Sequence, residues 1–166
     1  MTSIEEFYSG AVPYVELLSS FVSKHNLVGR AAPDHMCYKC GSRAKFEEMR
    51  EMFEQNSKYV YQTIISGRRI AYIKLQTPIE SVLGPIWFVE LSDQKTDGSQ
   101  KDAYDHIEVF ATAMTYDEMV NEFKHAGQNV IHVERPHHTT DDVDIGGFLF
   151  RCTQGPLIEK IKSKEM

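Results

Sequence analysis

Apolar residues recur at helical spacing across residues 3–27: Ile4, Phe7, Tyr8, Ala11, Val15, Leu18, Phe21 and Val22. This is the 3.6-residue period of an amphipathic helix. Thr2 with Glu5, or Ser3 with Glu6, suits a capping box at its start. Pro13 lies inside the stretch. Its ring removes an N–H and crowds the preceding turn, which predicts a break into two helices. Beyond residue 30 the period changes. Asp34–Cys40 reads as a strand. Gly41-Ser42 turns the chain, and Ser42 stands where it caps a helix with a buried face of Phe46, Met49, Met52 and Phe53. Tyr59–Ile65 is rich in β-formers, Ser66-Gly67-Arg68 is a turn, and Arg69–Leu75 and Ile86–Ser92 are two more strands around a loop holding Pro78, Gly84 and Pro85. The order is β-α-β-β-β.

The same order then returns. Asp93–Asp102 has no apolar residue and reads as a linker. Tyr104–Ala111 is a strand. Thr115 and Glu118 form a capping box for a helix whose face is Tyr116, Met119, Val120, Phe123 and Ala126, and Gly127 falls where a helix C-cap belongs. Gln128–Glu134 is a strand. Val143–Ile145, a Gly146-Gly147 turn and Phe148–Thr153 make a hairpin, and Leu157–Lys162 a last helical turn. The expected organisation is one domain over residues 1–166: N-terminal helices at 1–32, a first module at 33–92, a linker at 93–103 and a second module at 104–166.

Composition narrows the function classes. The chain has 166 residues, 42% of them hydrophobic, and a net charge of −6, which is ordinary for a single globular domain. Lys and Arg are scattered with no basic stripe, which argues against nucleic-acid binding. No run approaches the ~20 apolar residues that span a membrane. The opening Met-Thr-Ser-Ile-Glu-Glu has neither the basic nor the apolar region of a signal peptide, so a cytoplasmic location is expected. Three cysteines, Cys37, Cys40 and Cys152, are an odd number and argue against a disulfide framework. Cys37-Tyr-Lys-Cys40 has CxxC spacing, but on a strand residues three apart face opposite sides and cannot grip one metal.

The candidate chemistry lies in a repeated tripeptide. Asp34-His35-Met36 and Asp105-His106-Ile107 each open a strand, nearly half a chain apart, and Glu90 stands between them in Ile86-Trp87-Phe88-Val89-Glu90-Leu91. Two imidazoles and a carboxylate are what a divalent site of the two-His-one-carboxylate kind requires. Alternation puts Met36, Tyr38 and Cys40 on one face and His35, Cys37 and Lys39 on the other. It likewise sets Ile107 and Val109 opposite His106 and Glu108. Asp34 and Asp105 either cap strand starts or orient the neighbouring imidazoles; the second is awkward for adjacent residues on a strand. Lys74 is expected to face the same cavity. His25 and His125 fall near helix C-termini, where a partial positive charge is favoured. His137-His138 reads as a solvated loop and His132 as an exposed strand residue.

The repeated β-α-β-β-β order resembles the vicinal oxygen chelate superfamily, which includes glyoxalases and extradiol dioxygenases. More narrowly the chain resembles the YecM family, from about residue 5 to residue 162. The resemblance is carried by Asp34-His35-Met36 with Lys39-Cys40, Ser66-Gly67-Arg68, Ile73-Lys74-Leu75, Val89-Glu90-Leu91 and Asp105-His106-Ile107-Glu108. It implies an α+β fold in which two βαβββ modules form a half-open mixed sheet, glyoxalase-like, with extra N-terminal helices. It also implies metal ligands from the first and fourth strand of each module: His35, Glu90 and His106. The fourth corner then falls in Phe148–Cys152, at Arg151, which stays protonated and cannot ligate.

These expectations converge on a metal-dependent enzyme acting on a small oxygenated metabolite, with isomerase, lyase and dioxygenase outcomes all open. The cofactor is a divalent ion, Zn²⁺ or Fe²⁺ before Mn²⁺ or Ni²⁺. Glu108 is the candidate general base, and Lys39, Lys74 and Arg151 are candidates for a substrate carboxylate or phosphate. The partner is a small molecule, and a monomer completes the site alone. Two alternatives compete. One is a binding protein that sequesters a small molecule without turnover; the other is a scaffold in which the metal merely joins the modules.

Overall fold

The computed structural model of the chain describes residues 1–135 and 138–159. The elements in chain order are α1 (Ile4–Lys24), β1 (Ala31–Lys39), α2 (Arg43–Asn56), β2 (Ser57–Ile65), β3 (Arg68–Ile79), β4 (Ile86–Ser92), β5 (Ala103–Ala111), α3 (Tyr116–His125), β6 (Ile131–Glu134), β7 (Thr139–Asp144) and β8 (Leu149–Thr153). The strands form one eight-stranded mixed sheet in the order β2-β3-β4-β1-β5-β8-β7-β6. The fold is α+β and glyoxalase-like. Each βαβββ module runs outward from the centre, where β1 and β5 pair antiparallel, and each central strand pairs in parallel with its own module's last strand.

The local signals form most of these elements as read, but β6 starts at Ile131 rather than Gln128, β7 runs Thr139–Asp144 rather than Val143–Ile145, and the end of the turn expected at 157–162 lies outside the described residues. Ser42 accepts from the Lys45 N–H at the start of α2, and Thr115 and Glu118 close a reciprocal capping box on α3. The end of α3 is a Schellman turn: Gly127 takes φ +76°, its N–H donates to the Lys124 carbonyl, and the Gln128 N–H donates to the Phe123 carbonyl. Ser66 and Gly67, at φ 53° and 76°, make the two-residue hairpin between β2 and β3.

The expected break at Pro13 does not occur. Pro13 lies inside a single 21-residue helix. Its ring frees the carbonyl one turn back, at Ser9, but Ser9, Val12 and Pro13 are all exposed, so that carbonyl lies on the solvent side of the helix and need not go unsatisfied. The opposite face, Phe7, Ala11, Leu18, Phe21 and Val22, is buried on both sides of the proline and holds the helix together. The N-terminal region is therefore one helix, not two.

One core serves both modules. Phe7 meets Phe53 of α2 edge-on at 5.0 Å, and Phe21 meets Phe123 of α3 at 5.0 Å. Beneath them lie Met36, Ile73, Val89, Ile107 and Phe150 from five strands. The 93–102 segment is tied down. Gln100 is buried, and its amide donates to the Cys40, Ser92 and Asp93 carbonyls. Among the described residues, no helix is long and apolar enough to cross a membrane.

Candidate metal centre

The helices cover one face of the sheet, and the polar residues gather on the other. Strand register aligns them in two adjacent rows. Tyr72, Glu90, Cys37 and His106 are successive partners across β3, β4, β1 and β5. His35, Glu108, Arg151 and Asp142 are partners across β1, β5, β8 and β7.

Two bulges in the central β1–β5 ladder shape this site. Pairing passes from Pro33 to His35 and leaves Asp34 as an extra residue. It passes from His106 to Tyr104 and leaves Asp105 as the other. A bulge lets consecutive side chains share a face. Asp34 Oδ2 therefore accepts from Nδ1 of His35 at 2.6 Å, and Asp105 Oδ2 accepts from Nδ1 of His106 at 2.8 Å. Adjacent residues make the contact that strict alternation renders awkward, and both copies of the tripeptide make it. A carboxylate can only accept, so each imidazole keeps a proton on Nδ1, and Nε2 is the nitrogen left to carry a second proton or to meet a cation.

His35, Glu90 and His106 each present a donor atom within 4.8 Å of the others. His35 Nε2 lies 3.6 Å from Glu90 Oε2, near the roughly 3.4 Å separating two ligands of a tetrahedral zinc ion. His35 is fully buried, and its Nε2 has no hydrogen-bond partner among the described residues. Burial opposes a proton on His35, but Glu108, Asp34 and Glu90 outweigh it and raise the imidazole to about 9. A second proton on Nε2 meets that carboxylate charge, and a divalent cation at the same atom would replace it. Burial and then the Arg151 charge lower His106, which keeps it neutral. Desolvation pushes Glu90 up, but the His35 charge outweighs it and holds the carboxyl below its usual range. The Cys37 thiol donates to Glu90 Oε1 at 3.3 Å. These residues suit a divalent cation by donor type, tautomer and an open valence.

The other expected site residues divide. Arg151 lies on the trough face, but its guanidinium bonds Asp142 through Nε and Nη2 at 3.1–3.2 Å. Its Nη1 is 3.2 and 3.0 Å from the two ring nitrogens of His106. Near-equal distances place it over the ring, outside the plane of the Nε2 lone pair. Lys39 pairs with Asp105 at 2.7 Å. Lys74 lies against the Phe88 ring at 5.5 Å and does not line the cavity. His138, read as a solvated loop residue, instead donates from Nε2 to Glu108 Oε1 at 3.3 Å and is largely buried; His137 lies outside the described residues. His25, read as favouring charge, is buried beside Phe21 and Phe123, and burial lowers it instead.

The trough is a cavity of about 860 Å³. Its lining carries Glu90, Asp105, His106 and Glu108 together with the cations Lys39, Arg68, Lys95, Arg135 and Arg151. One end is closed by the chain itself. Ile158 packs on Ile70 and Tyr72, and the Leu157 N–H donates to Asp34 Oδ1 at 3.0 Å.

The family model described as YecM protein matches residues 8–148. A solved structure titled "Structural Genomics, Protein EC4020" covers 98% of this chain and 93% of its own at 21% identity, with a TM-score of 0.73. The hypothetical protein BH1468 from Bacillus halodurans C-125 covers 75% and 94% at 15% identity, with a TM-score of 0.54. At these identities the likeness is one of fold. No curated protein matches the chain.

Proposed function

We propose that this chain, which belongs to the YecM family, is a metal-dependent enzyme that takes a small oxygenated, acidic molecule into its trough. His35, Glu90 and His106 hold the ion, and Asp34 and Asp105 fix the two imidazoles. A divalent cation there supplies Lewis acidity to a substrate oxygen and stabilises developing negative charge. The chain's own groups do the rest. Lys39, Arg135 and Arg151 line the trough already paired with Asp105 and Asp142, so Arg68 and Lys95, which have no carboxylate partner among the described residues, face a carboxylate or phosphate, and Ile70, Tyr72 and Leu157 exclude water from the closed end. The observation that carries this reading is the meeting of two carboxylate-held imidazoles and Glu90 around the unpartnered Nε2 of His35. Zn²⁺ or Fe²⁺ suits the donor set first.

Elemental analysis of the purified protein tests it. One equivalent of divalent metal in the wild type, lost in His35→Ala and His106→Ala while circular dichroism is unchanged, supports the reading. Metal-free protein that also takes up no added Zn²⁺, Fe²⁺ or Mn²⁺ overturns it. Stoichiometric metal with tight binding of small acids, but no turnover of any, favours the sequestering alternative.

A further inference from the structure

We infer that Glu108 is a fourth protein ligand of the metal, supplied from β5 one strand away from the position of Arg151. This rests on the metal reading above and assigns Glu108 a role other than the proton carrier expected from sequence.

Glu108 is 1% exposed. Its Oε1 accepts from His138, whereas Oε2 is buried with no hydrogen-bond partner among the described residues. Its partner across the β1–β5 ladder is His35, whose Nε2 is also buried and unpartnered. Two register-paired side chains thus each leave one polar atom without a partner in the dry part of the site. An orphaned buried acceptor is destabilising, the more so when charged. A proton shared between them satisfies one contact, and then only if the atoms meet. A cation satisfies both without contact, and Asp34, His35 and Glu108 present donor atoms within 4.8 Å of one another, a second group that shares His35 with the Glu90 and His106 group.

The surroundings leave Oε2 free. Arg151 is the register partner of Glu108 on the other side, yet its charge is spent on Asp142, and its Nη1 stays 3.7 Å from Glu108 Oε1. Asp142 is held in turn by Thr140 at 2.9 Å and by Arg135. His138 and Arg151 therefore orient the carboxylate through one oxygen, which lies 3.9 Å from His106 Nε2, and leave the other without a partner. Charge also closes. Glu90 and Glu108 balance a divalent ion, while Asp105 is matched by Lys39 and Asp34 by two N–H donors. Two imidazoles and two carboxylates leave an octahedral ion two positions for substrate oxygens.

Cobalt titration of the apo protein tests this, with affinity from chelator competition and geometry from the visible absorption of bound Co²⁺. In Glu108→Gln the affinity falls by more than the roughly 10- to 100-fold that loss of an outer hydrogen-bond partner costs, as it does in Glu90→Gln, and the absorption changes. His138→Gln, which removes only the Oε1 partner, stays within that roughly 10- to 100-fold range and keeps the absorption of the wild type. Glu108→Asp, which keeps the charge and withdraws the oxygen, serves if Glu108→Gln fails to fold; weakened binding with altered absorption is again expected. Wild-type affinity and absorption in the folded variants overturn the inference while leaving the three-ligand reading intact. A wild type that binds no Co²⁺ overturns both.

Discussion

Asp34 accepts the backbone N–H of Leu157 at 3.0 Å on one carboxylate oxygen while the other holds Nδ1 of His35 at 2.6 Å. A segment near the C-terminus is thereby joined to a candidate ligand through a single side chain on a bulge. Asp105 does the equivalent for His106, with Lys39 in place of the backbone donor. In both modules the imidazole is locked by a carboxylate that a second donor locks in turn.

Asp34→Asn tests that arrangement. An amide has one accepting end, whereas Asp34 faces two donors, so either orientation breaks one bond. Metal affinity is expected to fall about 10- to 100-fold, with a similar loss in Asp105→Asn, measured by chelator competition on folded protein. Unchanged affinity in both variants removes any positioning role from the two aspartates.

Much of the fold was legible because its signals are local. Caps at Ser42, Thr115 and Gly127 and the apolar faces of α2 and α3 depend only on neighbours in sequence. The continuity of α1 through Pro13 was not, because burial of residues far along the chain decides it. For the candidate site, His35, Glu90 and His106 were legible as residue types in strands, but the Asp–His contacts were not, since alternation assumes an unbroken ladder. A signal was present: Tyr104 and Ile107 are both core residues three apart on one strand, a parity break that only a bulge allows. His138 had no such signal. A loop residue carries no period, and its approach to Glu108 is a tertiary fact.

The thiols are expected to be inert in the folded protein. Cys37, Cys40 and Cys152 are all buried. Burial, with nearby carboxylates adding to it, pushes Cys40 up to about 12 and Cys37 and Cys152 well above an ordinary thiol. Reaction with a disulfide reagent at about pH 8, near the free thiol's pKa, should register none of the three in native protein and all three in guanidinium. Fast labelling of one native thiol contradicts the buried placement.

The shared core sets the size of a packing defect. Phe123 is fully buried against Phe21, His25 and Phe150. Phe123→Ala leaves a cavity between α1, α3 and β8 and should cost about 3–5 kcal/mol in urea unfolding. Ile64, 64% exposed on β2, is the contrast: Ile64→Ala should fall within about 0.5 kcal/mol. Equal effects at the two positions contradict the assignment of the core.

His25 is expected to make the fold sensitive to mild acid. It sits at the C-terminal end of α1, 4% exposed, and accepts from the Gln128 amide at Nε2, which needs the neutral ring. Desolvation lowers its pKa first and Lys24 adds to this, with Glu122 opposing. The folded state therefore binds this proton less readily than the unfolded chain, whose histidine titrates near about 6.5. Stability from His25 is complete above that value and is lost as pH falls below it toward the depressed folded pKa. His25→Gln keeps a polar group at the helix end without a titrating ring. Urea unfolding at a series of pH values from about 7.5 to 5 should show a shallower loss of stability in the variant than in the wild type. Parallel profiles for the two proteins exclude His25 as a source of any pH dependence in this range.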